Sequence, residues 1–298
     1  MADLSLAGVL PLKKEKEKTD SYELINFLFT SLIHFKAHVH FETFYIIVPD
    51  KCVDEVKKYV SGYSTHFTFK VLGEDALIGK MKPWVRGWRR QQLIKLAAGE
   101  FVNESHFMTF DADVICTRAF TKEEIFPNGK PLLQLMEKSD RPYWWVTSAE
   151  LLGTEAFLDE LGMGVTPAIL NTNVVANLLQ YLSSFGMTWV EYLLVSYKPF
   201  PINLFVKMKV WTEYSLYHLF LKKNNLVEKC HTVCDSSIRT RLISKKSAWY
   251  KEEFTKLDTN ELFDENAPGI FCVIQSNMKL SVDEIRAKLE PILTTGSE

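Results

Sequence analysis

The stretch FMTFDADVICTR, Phe107–Arg118, decides the fold class. Four mostly apolar residues lead into two carboxylates, Asp111 and Asp113, and a second apolar run follows them. A carboxylate in an apolar setting is costly to bury unless it is paired or bound to a cation. The pattern therefore predicts a buried strand that ends at two acids, followed either by a solvated turn or by a turn that holds a cation.

The segments before this stretch alternate between strand-like and helix-like patterns. Apolar runs predict strands at 7–10, 43–50 and 67–72, and helical spacing predicts helices at 22–35, 52–60 and 88–101. Such alternation is typical of a mostly parallel sheet with helices on both faces. The predicted class is α/β, with a Rossmann-like, mostly parallel central sheet and an irregular, helix-rich C-terminal half.

Composition excludes several classes of function. The 298 residues are 47% hydrophobic and carry a net charge of -2, so no basic excess points to a nucleic-acid partner. Five scattered cysteines give no disulfide framework, which favours a reducing, cytoplasmic location. No apolar run reaches the roughly 18 residues of a membrane span, and the N-terminal apolar run is too short for a signal peptide.

Three of the predicted strands end in a short segment whose last residue is charged: Pro11–Lys13, Pro49–Asp50 and Asp111–Asp113. Ligands of parallel sheets gather at the carboxyl ends of the strands, so these segments are expected to share one edge. Mg²⁺ takes oxygen ligands, usually one or two protein carboxylates with substrate phosphates. In an extended segment residues i and i+2 point to the same side, so both aspartates are expected to reach one metal–diphosphate group.

Two further segments carry candidate functional groups. WVRGWRRQQLIKLAAGEF, Trp84–Phe101, is either a surface helix or a helix whose basic residues neutralise a diphosphate, namely Arg86, Arg89, Arg90 and Lys95. WTEYSLY, Trp211–Tyr217, places Glu213 in the first turn of a helix, where the helix dipole favours an anion. The functional alternative for Glu213 is a general base that deprotonates an acceptor hydroxyl.

Four blocks of the sequence resemble a known group of enzymes. GWRRQQLIKLA, FMTFDADVICTR, GMGVTPAIL and WTEYSLY occur in this order within 87–217. They resemble the GT-A class of nucleotide-sugar glycosyltransferases and, more closely, a bacterial domain family of unknown function that is thought to be glycosyltransferase-like. The resemblance implies a single GT-A-like domain over 1–298, with a nucleotide-binding half at 1–120 and an acceptor-binding half at 121–298.

The resemblance also implies roles for individual residues. Donor binding falls on Pro11, Leu12, Asp50, Arg89, Gln92, Lys95, Asp111, Gly164 and Thr166. Asp111 and Asp113 match the D-x-D that binds Mn²⁺ or Mg²⁺, and Glu213 matches the acid that acts as base in inverting members. Gln275 lies near the place of a third metal ligand, which is often His. The segment 273–277 has no His, and His231 is a remote substitute.

The predicted activity is metal-dependent transfer of a sugar from a UDP-, GDP- or dTDP-linked donor to the hydroxyl of a saccharide or lipid-linked acceptor, as in polysaccharide biosynthesis. A sugar-phosphate nucleotidyltransferase would need a glycine-rich basic loop after the first strand, and LPLKKEKEK has lysines but no glycine. A haloacid-dehalogenase-type phosphatase would need a later acidic pair, for which only Asp264-Glu265 is available. A non-catalytic binding module is the remaining alternative.

Two smaller features have a functional and a structural interpretation. Cys230-His231-Thr232-Val233-Cys234 is either a metal cluster or a strand with half-buried thiols. The abundant aromatic residues, including Trp144, Trp145 and Trp189, either stack on a sugar acceptor or pack in the core.

Overall fold

The structure is a computed structural model that describes residues 4–13, 21–85, 87–164, 166–195 and 210–293. Its strands are β1 Leu6–Pro11, β2 Thr43–Val48, β3 Phe69–Gly73, β4 His106–Thr109, β5 Val114–Cys116, β6 Leu132–Leu133, β7 Ala168–Asn171, β8 Thr232–Val233, β9 Arg241–Ile243 and β10 Gly269–Val273. Its helices are α1 Ser21–His34, α2 Val53–Val60, α3 Glu74–Ile78, α4 Gly87–Phe101, α5 Lys122–Ile125, α6 Pro142–Leu152, α7 Thr172–Ser183, α8 Trp189–Leu194, α9 Glu213–Lys223, α10 Val227–Cys230, α11 Lys251–Lys256, α12 Thr259–Leu262 and α13 Val282–Leu293.

The central sheet has the strand order β3-β2-β1-β4-β7. β1 pairs in parallel with β2 and β4, β2 pairs in parallel with β3, and β7 runs antiparallel to β4. Every residue of β1, β2 and β4 is buried, as expected of strands covered on both faces. The parallel pairing brings the carboxyl ends of β1, β2 and β4 to one edge.

Alternating residues of β1 face two different cores. Ala7 and Val9 belong to the core that includes Leu96 of α4, whereas Leu6 and Leu10 belong to the core that includes Leu28 of α1. The side chains of a strand alternate between its faces, so one short strand supports helices on both sides of the sheet. The predicted α/β class with a mostly parallel sheet is confirmed.

A second sheet, with the order β5-β10-β9, begins directly after the two aspartates. β10 pairs antiparallel with β5, with Val273 opposite Val114, and in parallel with β9. The Ile274 N–H donates to the carbonyl of Asp113 (2.9 Å), which continues this pairing up to the acidic turn. The segment Asp111–Asp113 therefore joins the central sheet to the second sheet.

Candidate functional site

The two aspartates lie in a turn rather than in an extended segment. The hydrogen bonding between β4 and β1 extends as far as Phe110. The Val114 N–H then donates to the Asp111 carbonyl (3.3 Å), which closes a turn. The expectation that the chain is extended across the two acids is therefore wrong. The turn arises because the chain leaves the central sheet here to begin β5, and it sends the two carboxylates toward different partners.

Asp113 is held by the end of β10. Its side chain is 8% exposed, and its Oδ2 accepts a hydrogen bond from the Ser276 N–H (2.8 Å). Burial and, to a smaller extent, the nearby Asp111 together raise the pKa of Asp113 to about 6, while the hydrogen bond from Ser276 opposes the shift. A buried carboxylate beside a second carboxylate is an environment that a bound cation would stabilise.

Asp111 pairs with a fully enclosed lysine on α4. The Lys95 Nζ lies 2.9 Å from Asp111 Oδ1, 3.3 Å from Glu213 Oε1 and 2.9 Å from Thr166 Oγ1. The contact with Thr166 is a hydrogen bond and the contacts with the two carboxylates are ion pairs, so oxygen atoms of three residues surround the ammonium group. Burial alone would lower the pKa of Lys95, but the surrounding Asp111, Tyr214 and Glu213 raise it well above its usual value.

A chain of hydrogen-bonded hydroxyl groups begins at the Lys95 ammonium group. Thr166 Oγ1 lies 2.6 Å from the Tyr214 hydroxyl, which lies 2.6 Å from Thr109 Oγ1, and Thr109 donates to the carbonyl of Ala168 (3.2 Å). Thr109 gives its one proton to the Ala168 carbonyl, so Tyr214 donates to Thr109 and Thr166 donates to Tyr214. This chain fixes the position of the ammonium group.

Glu213 begins α9 and is 1% exposed. Thr212 caps this helix as the sequence indicates, since its side chain accepts from the Ser215 N–H (3.0 Å). Burial raises the pKa of Glu213 to about 7, which Lys95 opposes and Asp111 reinforces. Its Oε2 is buried and has no hydrogen-bond partner among the described residues.

The other predicted residues of α4 also contact the start of α9. Gln92 Oε1 accepts from the Glu213 N–H (3.2 Å), and Arg89 donates from Nη1 to the carbonyl of Trp211 (2.9 Å). Arg89, Gln92 and Lys95 are all buried, so this face of α4 packs against α9. Of the remaining basic residues, Arg90 pairs with Glu74 (2.7 Å), and Arg86 lies outside the described residues.

The predicted nucleoside-contacting residues lie at the ends of β1 and β2. Pro11 and Leu12 are buried and line a shallow pocket with Ile47 and Ile94. Asp50 is exposed, and its Oδ2 accepts from the Asp75 N–H at the start of α3 (2.9 Å). Its visible contact is thus a helix cap, and its donor-binding role stays a prediction.

The remaining candidates fall into two groups. Gln275 is half-buried and precedes Ser276, so it lies beside Asp113, and Gly164 adjoins Met136 two residues before Thr166. His231 is 2% exposed, with Nε2 2.7 Å from the Tyr217 hydroxyl and Nδ1 3.2 Å from the carbonyl of Pro131. Both ring nitrogens of His231 have protein partners, so His231 is not a substitute metal ligand.

The structure weakens two alternative interpretations. Asp264 and Glu265 are exposed in a turn before β10, where Asp264 Oδ1 accepts from the Asn266 N–H (2.9 Å), so they do not form a phosphatase acidic pair. Cys230 and Cys234 are half-buried free thiols that flank β8. Within the described ranges, no three His, Cys, Asp or Glu side chains gather as a metal-ligand group. Most of the lysine-rich segment after β1 lies outside the described residues.

The comparison with protein families assigns the chain. The family of unknown function DUF6492 matches residues 3–297. The chain belongs to this family. No curated protein matches it.

Solved structures similar to this DUF6492 member include three glycosyltransferases. Mouse xyloside xylosyltransferase 1, in its apo form, has a TM-score of 0.49 and 11% identity, over 92% of this chain and 99% of the mouse chain. The galactosyltransferase LgtC, in complex with donor and acceptor sugar analogues, has a TM-score of 0.49 and 8% identity, over 98% of this chain and 96% of LgtC. Core-mannan synthase A from Aspergillus fumigatus, in its Mn/GDP form, has a TM-score of 0.44 and 10% identity, over 74% of this chain and 70% of the synthase.

Sequence reasoning missed three contributors to the site in this DUF6492 member: Thr109, Tyr214 and Ser276. Tyr214 directly follows Glu213, and Thr109 lies inside the strand that leads to the aspartates. Nothing in the sequence around Thr109 or Tyr214 distinguishes it from an ordinary position of a strand or a helix. Ser276 contributes through its backbone N–H, which carries no side-chain signal in a sequence.

Proposed function

We propose that this protein is a metal-dependent glycosyltransferase that moves a sugar from a nucleoside-diphosphate donor to a hydroxyl acceptor. The observation that supports this most is the position of Asp111 and Asp113 at the carboxyl edge of the parallel sheet. Ligands of open α/β sheets bind at that edge. The parallel ends of β1 and β2, with Pro11, Leu12 and Asp50, adjoin it and are the proposed nucleoside side of the site.

The side chains at the turn after β4 are suited to bind a divalent cation. Asp113 is buried, its pKa is raised to about 6 by burial and by Asp111, and only its Oδ2 bonds to the backbone of Ser276. Asp111 is 37% exposed at its side chain and so faces solvent, where substrate oxygens can complete a coordination shell. We assign the Mn²⁺ or Mg²⁺ site to Asp111 and Asp113, with Gln275 as a further ligand. The bound metal would stabilise negative charge on the leaving diphosphate.

We do not propose that Lys95 neutralises the diphosphate of the donor directly. Its ammonium group is buried and already contacts Asp111, Glu213 and Thr166, so it is not open to a phosphate in this arrangement. Lys95 instead holds Asp111 in place and balances the charge of Glu213. Arg89 likewise donates to the carbonyl of Trp211, and its proposed contribution to donor binding is to fix the start of α9.

Glu213 is the proposed base. Its Oε2 is buried without a hydrogen-bond partner among the described residues, and an acceptor hydroxyl would supply the missing donor. A pKa of about 7 suits a group that takes a proton at neutral pH. We expect Glu213→Gln to lower kcat by about 100-fold, within the range of general-base catalysis. Nucleotide affinity should be unchanged. A Glu213→Gln enzyme with the kcat of wild type would contradict the proposal that Glu213 is the base.

The products distinguish the proposed reaction from its alternatives. A transferase releases a nucleoside diphosphate from a nucleotide sugar, a nucleotidyltransferase releases pyrophosphate from a nucleoside triphosphate and sugar phosphate, and a phosphatase releases inorganic phosphate. Incubation with UDP-, GDP- and dTDP-sugars, Mn²⁺ and a mixed saccharide acceptor pool, followed by ion-pair chromatography, separates these products. We expect a nucleoside diphosphate that requires Mn²⁺, and pyrophosphate or phosphate as the main product would overturn the proposal.

A further inference from the structure

Three aromatic side chains form a cluster near the site, here called the aromatic ledge: the exposed Trp88 of α4 and Tyr143 of α6, and the half-buried Trp144 of α6. Trp88 is 42% exposed and Tyr143 is 48% exposed. The Trp88 and Trp144 rings stack with centroids 6.0 Å apart and planes 27° apart, and Tyr143 meets Trp144 edge to face at 6.0 Å. Contiguous exposed apolar surface of this kind marks a binding site more often than scattered single residues do.

The aromatic ledge lies on the same face of α4 as the residues that hold Glu213. Trp88, Gln92 and Lys95 are spaced i, i+4 and i+7, and such residues share one helix face. Gln92 accepts from the Glu213 N–H (3.2 Å), and Lys95 pairs with the Glu213 carboxylate (3.3 Å). Seven residues of helix span roughly 10 Å. The aromatic ledge is therefore about two helical turns from the proposed base.

The ledge is also attached to the start of α9. The guanidinium carbon of Arg89 lies 5.1 Å from the centroid of the Trp88 ring and 4.5 Å from that of the Trp211 ring. Trp211 precedes the Thr212 cap and Glu213, and Arg89 donates to its carbonyl (2.9 Å). Trp88 and the helix that carries the proposed base are thus positioned by the same side chain.

Two other tryptophans have different surroundings. Trp145 is 4% exposed, and Trp189 is 5% exposed with its indole N–H donating to Glu100 (3.1 Å). Both are core residues, so core packing is the interpretation that the structure supports for Trp145 and Trp189. Trp144 is the one residue of that predicted group that joins the ledge.

We propose that the aromatic ledge binds a pyranose ring of a saccharide acceptor, which rests on the proposed function. A pyranose has an apolar C–H face that packs on an aromatic ring and hydroxyls around its edge. The ledge has matching chemistry, since it includes the Tyr143 hydroxyl, and the exposed Asp140 and Arg141 directly precede the helix that carries Tyr143 and Trp144. An alkyl chain would favour an enclosed aliphatic groove, whereas this surface is open, aromatic and rimmed by polar groups.

Saturation-transfer NMR tests the ledge without knowledge of the natural acceptor. The probes are the methyl α- and β-pyranosides of glucose, galactose, mannose and N-acetylglucosamine, the corresponding disaccharides, and octyl β-glucoside. With the wild-type protein we expect ring C–H signals from at least one pyranoside. Trp88→Ala and Trp144→Ala should each weaken that binding by about tenfold, because each removes one stacked ring.

Phe185→Ala is the matched control. Phe185 is 46% exposed and stacks on Tyr192 with centroids 4.7 Å apart, so it resembles a ledge aromatic in exposure and packing. It also lies beside Tyr181 (5.4 Å), which bonds to Lys223 at the end of α9 opposite Glu213. Phe185→Ala should leave pyranoside binding unchanged, and thermal unfolding checks that all three variants fold.

Pyranoside binding is measured without a nucleotide donor, so the ledge proposal and the glycosyltransferase proposal can fail separately. Absence of any pyranoside signal in wild type, full binding in both ledge variants, or saturation confined to the alkyl protons of octyl glucoside would each overturn the ledge proposal. A wild-type protein that responds to a nucleotide but gives no pyranoside signal would contradict the ledge proposal and leave the glycosyltransferase proposal standing. A wild-type protein that binds pyranosides but shows no response to any nucleotide would remove the glycosyltransferase proposal and leave a saccharide-binding surface.

Discussion

Lys95 and Glu213 form an ion pair in the interior of the protein, with Nζ 3.3 Å from Oε1 and both side chains 2% exposed. The pair connects α4 to the start of α9, and Asp111 extends it to the acidic turn after β4. Buried charges of this kind are costly when one partner is lost. The arrangement therefore makes the stability of the protein depend on the same groups that the proposed reaction uses.

A double-mutant cycle measures this coupling. Lys95→Met leaves Glu213 and Asp111 without their cation, and we expect it to lower the free energy of unfolding by about 3 kcal/mol. Adding Glu213→Gln removes one of the two stranded carboxylates, so the double variant should be more stable than Lys95→Met alone. Urea denaturation measures both values.

The surface pair Lys246–Glu261 is the control for this cycle, because its side chains are 51% and 58% exposed. Lys246→Met should cost less than about 1 kcal/mol. Equal losses for Lys95→Met and Lys246→Met, or additive effects in the double variant, would contradict the buried coupling.

Tyr214→Phe should weaken the hydroxyl chain that supports Lys95. The variant leaves Thr109 and Thr166 without the hydroxyl that lies 2.6 Å from each of them. Loss of a buried hydrogen-bond partner costs about 1–3 kcal/mol. Tyr250→Phe, at a side chain that is 67% exposed, should change the free energy of unfolding by less than about 0.5 kcal/mol. A Tyr214→Phe protein as stable as wild type would show that the chain does not support the site.

The buried His231 should make stability depend on pH. Burial lowers its pKa from 6.5 to about 3, so the folded state keeps it neutral while the unfolded state takes up a proton below 6.5. Its contribution is complete above pH 6.5 and is lost as the pH falls toward 3. His231→Gln should therefore be less stable than wild type at pH 7.5, and the difference should shrink by about 2 kcal/mol at pH 5. A constant difference between these pH values would contradict this assignment.

The central sheet was predictable because its signals are local. The buried run at 43–48 and the helical spacing at 87–101 each reveal an element from neighbouring residues, and the Thr212 cap is visible in its own sequence.

No helix in the described part of the chain has both the length and the apolar character needed to cross a bilayer.

The second sheet was not predictable in the same way. β5 has only three residues, and its partner β10 lies more than 150 positions later, so neither period nor spacing indicates the pairing. The geometry of the aspartates follows from that pairing, because Asp113 turns toward Ser276 at the end of β10. The hydroxyl chain from Thr166 through Tyr214 to Thr109 likewise joins segments that are distant in sequence.

Thermal unfolding with UDP, GDP and dTDP, each with and without Mn²⁺, tests the central claim about Asp111 and Asp113 most directly. At a nucleotide concentration of about 100 times Kd, binding adds about 2.7 kcal/mol to the stability of the folded state. We predict that one nucleotide raises Tm by a few °C only when Mn²⁺ is present. Asp111→Asn and Asp113→Asn should abolish this rise, and Asp264→Asn, at an exposed turn, should keep it. No nucleotide response in wild type, or an Mn²⁺-dependent response that survives in Asp113→Asn, would contradict the account.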